Sequence, residues 1–305
     1  MNSLDTAKAG RQLFDELLHE PDALRRDRLW TLRAPALMRS ALPSLAGIGV
    51  PSAVPDSAPE PSRQRRLGFY FEDLVAELLQ DGVDDLHRNM QCRTEGRTLG
   101  EFDFVYRHLG RWHHLEAAVK FYLCVGDGSE LEHFVGPGLR DRLDIKWQRL
   151  QQHQLLLSQS PAGQQQLAEI GADNPAIELL MPGYLFYHST AGDIATGIPR
   201  RLHPEISPGH LRGFWCTLAE FQSRSPAPAE GFSILPKLSW LSPARLDPAE
   251  VLDLPSLLDR LAHQAGPLLV SLLRPSGSGD DWVEHSRGFV VPDSWPERAR
   301  AAADL

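Results

Sequence analysis

Cysteine, lysine and long apolar runs are all scarce in this chain. Its three cysteines, Cys92, Cys124 and Cys216, lie far apart, and no two form a CxxC pair. Such spacing excludes a disulfide framework and a zinc ribbon and suits a reducing compartment. No stretch approaches about 18 uninterrupted apolar residues, so no membrane span is expected. The segment from Met1 to Phe14 carries Asp5, Lys8 and Arg11 and lacks the apolar run of a signal peptide, which points to the cytoplasm. There is no GxSxG, so a hydrolase elbow finds no support. Gly126-Asp127-Gly128 and Gly136-Pro137-Gly138 lack the spacing of a dinucleotide fingerprint or a P-loop and read as turns.

What is present describes a folded, globular chain. Hydrophobic residues make up 42% and charged residues 23% of 305, which excludes a wholly disordered polymer. That length suits one large domain or two ordinary ones. The net charge of −9 excludes a protein that coats nucleic acid by bulk charge, while a local basic groove stays open.

Residues 11–42 read as helical, with Leu13, Leu17, Leu18, Leu24 and Leu29 at roughly helical spacing and Pro21 starting or interrupting a helix. Residues 1–42 are therefore taken as an N-terminal helical segment, and the Pro-rich stretch 43–61 as a linker or an extended surface connection. Beyond it the pattern is regular. A helix is predicted over 67–79, a strand over 86–94, and a half-buried strand over 98–107 in which Phe102, Phe104 and Tyr106 alternate with other residues. Residues 107–111 form a hairpin turn into a longer strand over 112–125; a helix over 141–158 and a strand over 183–188 follow. The order helix, strand, strand, strand, helix, strand predicts an α/β sandwich with a mixed sheet at 62–195. The remainder, 196–305, reads as an α/β extension with helices over 211–222 and 248–265 and extended segments over 267–273 and 282–291.

Three acids and a lysine stand out. Glu72 lies in the first predicted helix, Asp103 in the second strand, and Glu116 and Lys120 in the third. Side chains alternate along a strand, so Glu116, Ala118 and Lys120 share a face, and a hairpin can bring Asp103 beside it. Hard carboxylate oxygens converging with a lysine suit Mg²⁺, which keeps waters and leaves room for a phosphate. The chain has only four lysines, Lys8, Lys120, Lys146 and Lys237, and one of them sits in an otherwise apolar strand. The plainer alternative is a solvent-facing Asp103 and an exposed same-face Glu116–Lys120 pair. His113 and His114 are adjacent, so strand alternation throws them to opposite faces and speaks against joint ligation of one metal.

Gly68-x-x-x-Glu72, then Gly100-Glu101-Phe102-Asp103, then Glu116-Ala117-Ala118-Val119-Lys120-Phe121 resembles the PD-(D/E)XK nuclease superfamily in its RecB-like branch. The longer pattern from Leu67 to Leu157, with Arg287-Gly288-Phe289-Val290-Val291-Pro292 and Trp295-Pro296, resembles the bacterial domain-of-unknown-function family number 1853. The superfamily resemblance implies a restriction-endonuclease-like αβββαβ core and Mg²⁺-dependent cleavage of DNA, or of RNA, with Mn²⁺ as a substitute ion. It maps the metal-holding acids to Glu72, Asp103 and Glu116 and the catalytic lysine to Lys120. It also implies that the helix after the third strand supplies a polar residue, for which Lys146 is the candidate, with Gln148, Gln151 and Gln154 on the same segment.

One position departs from the superfamily pattern. The second acid is expected two residues before the lysine, where this chain has Ala118. Glu116 stands four before it, about 13 Å away along an undistorted strand instead of roughly 6.5 Å. A β-bulge shortening that gap, Glu101 supplying the missing oxygen, or a site that no longer cleaves are the three ways to resolve this. The last makes the chain a nucleic-acid-binding or protein-interaction module on the same scaffold. Arg63, Arg65, Arg66, Arg93, Arg97, Arg107 and Arg111 flank the proposed elements, either as a phosphate-tracking groove in which Arg93 and Arg97 contact substrate or as a solvated basic face.

Overall fold

The structure is a computed structural model that describes residues 12–42, 45, 66–94, 97–189, 199–223, 231–277 and 279–305. The stretch at 43–61, apart from Leu45, lies outside the described residues, as do Arg63 and Arg65.

At the N-terminus, Asp22 caps helix α1 (Ala23–Arg33) by accepting the Arg25 N–H at 2.7 Å. Pro35 then forces Ala34 into an extended conformation, and the helix stops. Residues 34–42, expected to be helical, run extended instead and form bridges Ala36↔Pro182 and Met38↔Ile206. Helix α2 (Leu67–Gln80) buries Phe71, Leu74, Val75, Leu78 and Leu79, the stripe that its sequence spacing predicts.

Strands β1 (Asp85–Thr94), β2 (Arg97–His108) and β3 (Arg111–Ala117) form an antiparallel meander. Its tight turn places Leu109 and Gly110 at φ 49° and 75°, the two positive values that a two-residue hairpin of this hand requires. The segment over 112–125, expected to be one strand, is two: β3 and then β4 (Lys120–Cys124). Its parallel partner divides in the same way, into β6 (Ala176–Leu180) and β7 (Gly183–His188), after the short β5 (Phe134–Val135). The two bend together. Register passes from Ala117↔Leu180 to Lys120↔Gly183, and the bend itself is bonded by Ala118 N–H to Leu180 O (2.9 Å) and Lys120 N–H to Pro182 O (3.2 Å). A Cβ at Gly183 would stand 1.8 Å from the Lys120 carbonyl oxygen, so only glycine permits this approach.

Between β4 and β6 lies helix α3 (Leu143–Arg149), which opens into a π turn at Leu150–Gln154. From α2 the elements run helix, strands β1 to β5, α3 with its π turn, a further helix (Pro161–Ala168) and strands β6 and β7, within a mixed α/β architecture; the three strands expected between the helices are five. Ala117, Val119, Phe121 and Leu123 join a core shared with α1 and α2, whereas Ala118 and Tyr122 pack towards α3 with Leu143 and Trp147. Alternation therefore survives the bend, and Glu116, Ala118 and Lys120 keep a common face.

The strands form two sheets where one mixed sheet was expected: β1-β2-β3-β6, and a larger one that the C-terminal part continues in the order β5-β4-β7-β8-β12-β11-β9. Here β8 is Leu211–Thr217, β9 Gly231–Ile234, β11 Leu268–Pro275 and β12 Trp282–Val291, with the two-residue β10 (Arg245–Leu246) pairing off this path. The expectation of a helix over 211–222 is corrected: β8 occupies its first part, and only Leu218–Ser223 is helical. Parallel strands β7 and β12 flank β8, so most of its side chains are buried on both faces and the sequence shows no two-residue alternation. Pro248–Ala265, read as one helix, is a 3-10 turn (Pro248–Glu250) and a separate helix (Leu254–Ala262).

A buried polar network ties the two ends of the chain together. Asp27 of α1 accepts from Ser242 Oγ (2.5 Å) and Tyr70 Oη (2.8 Å). Arg287 donates to Glu284 Oε1 (2.5 Å) and to the Ser242 carbonyl (2.7 Å), with its guanidinium 4.7 Å from the Tyr184 ring centroid. Among the described residues no helix is long and apolar enough to cross a membrane.

Candidate functional site

The β2–β3 ladder ends with Phe104 opposite Leu115, and Asp103 and Glu116 are the residues one step past that last pair. Here the two side chains meet. Asp103 Oδ2 also accepts the Ala117 N–H at 3.0 Å, which fixes its rotamer towards β3. Glu116 is fully buried. Its Oε1 lies 3.0 Å from His114 Nε2, and its Oε2 accepts from Gln154 Nε2 at 2.7 Å. The π turn puts Gln154 within reach, and Lys146 Nζ donates to Gln154 Oε1 at 2.9 Å. Glu116, Gln154 and Lys146 are thus linked in a single chain of hydrogen bonds.

Burial pushes the Asp103 carboxyl up to about 7, and the adjacent Glu116 charge adds to the effect. Burial likewise lifts Glu116 to about 7 against the attraction of Lys146. Two carboxyls in contact titrate as a pair, so near neutrality they hold a proton between them. Burial lowers the His114 imidazole to about 4, so the ring is neutral and its Nε2–H donates to Glu116. Lys146 is lowered by burial and by the neighbouring Lys120, and raised by Asp103, Glu116 and Asp141. It is the ammonium that faces both acids.

Glu72 on α2 is pushed up to about 7 by burial and then by the Asp103 charge. Asn89 reaches it from β1. That residue adopts φ 52° and interrupts the ladder between Arg88↔Phe104 and Met90↔Phe102, at the level of Asp103. Asn89 Nδ2 also donates to Glu101 Oε1 at 3.2 Å, so Glu101 is engaged on the β1 side.

The structure therefore joins Asp103, Glu116 and Lys146 closely and sets Glu72 beside Asp103. Lys120 shares the face of Glu116, but its Nζ is bonded to Asp141 Oδ2 at 2.6 Å, with Lys146 as a neighbouring charge. Arg93 is exposed at the far end of β1, where its guanidinium donates to Gln91 Oε1 at 2.6 Å. Arg97 opens β2, and its side chain lies outside the described residues. Arg107 lies over Trp112 beside the hairpin turn, so Arg93 and Arg107 occupy opposite ends of the meander. His113 turns to the other face, where it meets Glu178 (2.9 Å) and stacks on Tyr106, as alternation requires. Among the described residues no three or more His, Cys, Asp or Glu side chains form a group arranged to hold a metal ion. The acids meet as a pair. Sequence reasoning weighed His114 only as a metal ligand beside His113, and passed over Asn89 and Asp141. Only Asn89 left a signal, being an asparagine inside a strand, where its side chain and tolerance of positive φ mark a kink.

No curated protein and no solved structure matches this chain. A family described as a domain of unknown function (DUF1853) matches residues 26–291, most of the length and all of the elements that build the site. The chain belongs to that family.

Proposed function

We propose that this protein is a Mg²⁺-dependent nuclease with a restriction-endonuclease-like core, acting on DNA in preference to RNA in the cytoplasm. The observation that carries the reading is the contact of Asp103 with Glu116, both lifted to about 7, with Lys146 facing them. Mg²⁺ is held through one or two carboxylates, with waters and substrate phosphates completing its shell. The pair fits that requirement. Glu116 engages Asp103 as well as His114 through Oε1 and Gln154 through Oε2, and a carboxylate has about four lone-pair sites. Asp103 and Glu116 would hold the ion, with Glu72 adding negative charge from α2. Bound there, it would polarise a phosphodiester and acidify a water.

The chain's own groups have distinct parts in this reading. His114 and Gln154 fix the orientation of Glu116. Lys146 supplies positive charge where a phosphate would approach, and Lys120 with Asp141 forms a second charged pair on the same face. Glu72, at about 7, is poised to exchange a proton near neutrality. The test is hydrolysis of single- and double-stranded DNA and RNA with Mg²⁺ or Mn²⁺. Cleavage is expected for the wild type and lost in Glu116→Gln and on chelation; cleavage that survives Glu116→Gln contradicts the proposal.

A second reading has its own support. Ala118 stands where the superfamily pattern has an acid, and Glu116 is fully buried beneath Gln154. A non-cleaving nucleic-acid-binding or interaction module on the same scaffold would have both features. It predicts no metal-dependent turnover on any of these substrates.

A further inference from the structure

Strands β4, β7 and β8 run parallel and end together, and in open α/β sheets the crevice beyond such carboxyl ends is where ligands bind. Here that crevice is a cavity of about 250 Å³ lined by Cys124, Asp127, His188, Arg200, Trp215 and Arg300, among others. It lies at the opposite end of β4 from Lys120, about 13 Å along the strand, so it is separate from the acid pair.

The wall is rigid. Trp215 Nε1 donates to the Cys124 carbonyl at 2.8 Å, and His188 stacks on Trp215 with ring centroids 4.2 Å apart. His188 Nε2 is held 3.0 Å from both Glu220 carboxylate oxygens. The one acid in the lining is already engaged. Asp127 Oδ1 accepts the Ser129 N–H (2.9 Å) and Oγ–H (2.6 Å), and Oδ2 lies 3.5 Å from Arg201. Arg200 and Arg300 are exposed, and among the described residues neither makes an ion pair. Two arginines thus line a small cavity whose one acid is already engaged.

We propose that this cavity binds a phosphate group, either free phosphate or the end of a phosphomonoester. The planar guanidinium fork matches tetrahedral oxyanions bidentately, and two of them balance a phosphate dianion. The cavity is smaller than the roughly 300–1,000 Å³ of sites for drug-sized ligands, so it takes a phosphate with little attached. This assignment is independent of what the acid pair does.

Calorimetric titration of the full chain with inorganic phosphate, and separately with adenosine 5′-monophosphate, tests it. Phosphate is expected to bind the wild type, at least ten-fold more weakly in Arg200→Gln and in Arg300→Gln, and not at all in the double variant. Both arginines are exposed, so circular dichroism should show an unchanged fold. Competition by the nucleotide identifies a phosphomonoester as the ligand; binding of phosphate alone identifies the free ion. Absence of binding at millimolar phosphate, or binding that persists in the double variant, overturns the proposal. Loss of binding in Lys146→Gln with retention in the double variant also overturns it, because the phosphate would then sit at the acid pair.

Discussion

Asp103 and Glu116 meet across neighbouring antiparallel strands, one step past Phe104 and Leu115, and Asp103 is held there by the Ala117 N–H at 3.0 Å. Like charges directly opposite one another on adjacent strands destabilise a sheet. Here the cost is reduced by a shared proton, by Lys146 and by the hydrogen bonds of His114 and Gln154 to Glu116. A buried arrangement of this kind is a recurrent mark of functional sites.

The first consequence concerns pH. The folded chain raises Asp103 from an ordinary 3.8 to about 7, so between those values it binds a proton that the unfolded chain releases. The stability associated with that proton is fully present in acid and is lost as pH rises through about 7. Asp103→Asn cannot lose it. Thermal or urea unfolding should find the variant roughly 1–3 kcal/mol more stable than wild type at pH 8 and nearly equal at pH 4. A variant less stable than wild type at pH 8 would show that the carboxylate is not strained there.

The two lysines should differ. Lys146 faces both acids, whereas the Lys120 ammonium is held by Asp141 at 2.6 Å. In a carbon-13 titration of the carboxyls, Lys146→Met is expected to push Asp103 and Glu116 further up, and Lys120→Met to move them less. The reverse order would put Lys120 at the acids.

Gln154 satisfies a carboxylate oxygen that has no access to water. Gln154→Leu keeps the volume and removes the donor, so it should cost on the order of 1–3 kcal/mol in denaturant unfolding at pH 8. Protonation of Glu116 in acid should shrink that loss. A loss independent of pH would mean that only packing had changed.

The two ends of the chain are expected to unfold with the centre. Arg287 is buried against Glu284, Ser242 and Tyr184, and Ser242 bonds Asp27 on α1. Arg287→Met leaves Glu284 as an uncompensated buried charge and should cost about 3–5 kcal/mol. Adding Glu284→Met should recover part of it. Two separate thermal transitions in the wild type would contradict this picture of one shared core.

The order of the central elements was legible because Phe104 and Tyr106 alternate with Asp103 and Val105, and because α2 carries a clean apolar stripe. The bend at Ala118–Val119 was not, since both partner strands turn together and alternation passes through undisturbed. Strand β8 was misread because burial on both faces erases the pattern that marks a strand. At the site, residue type pointed to Glu72, Asp103, Glu116 and Lys120, while Lys146 came from the family resemblance alone. The binding of Lys120 to Asp141 was hidden, because the segment that returns Asp141 to the start of β4 has no periodicity of its own.

The most direct test of the acid pair as an ion-holding site is calorimetric titration of the folded chain with Mg²⁺ and Mn²⁺. Binding should strengthen as pH rises from 6 to 8, because the ion must displace protons from carboxyls that titrate near 7. It should vanish in Asp103→Ala and persist in Arg93→Gln. Identical heats from wild type and Asp103→Ala would contradict the account.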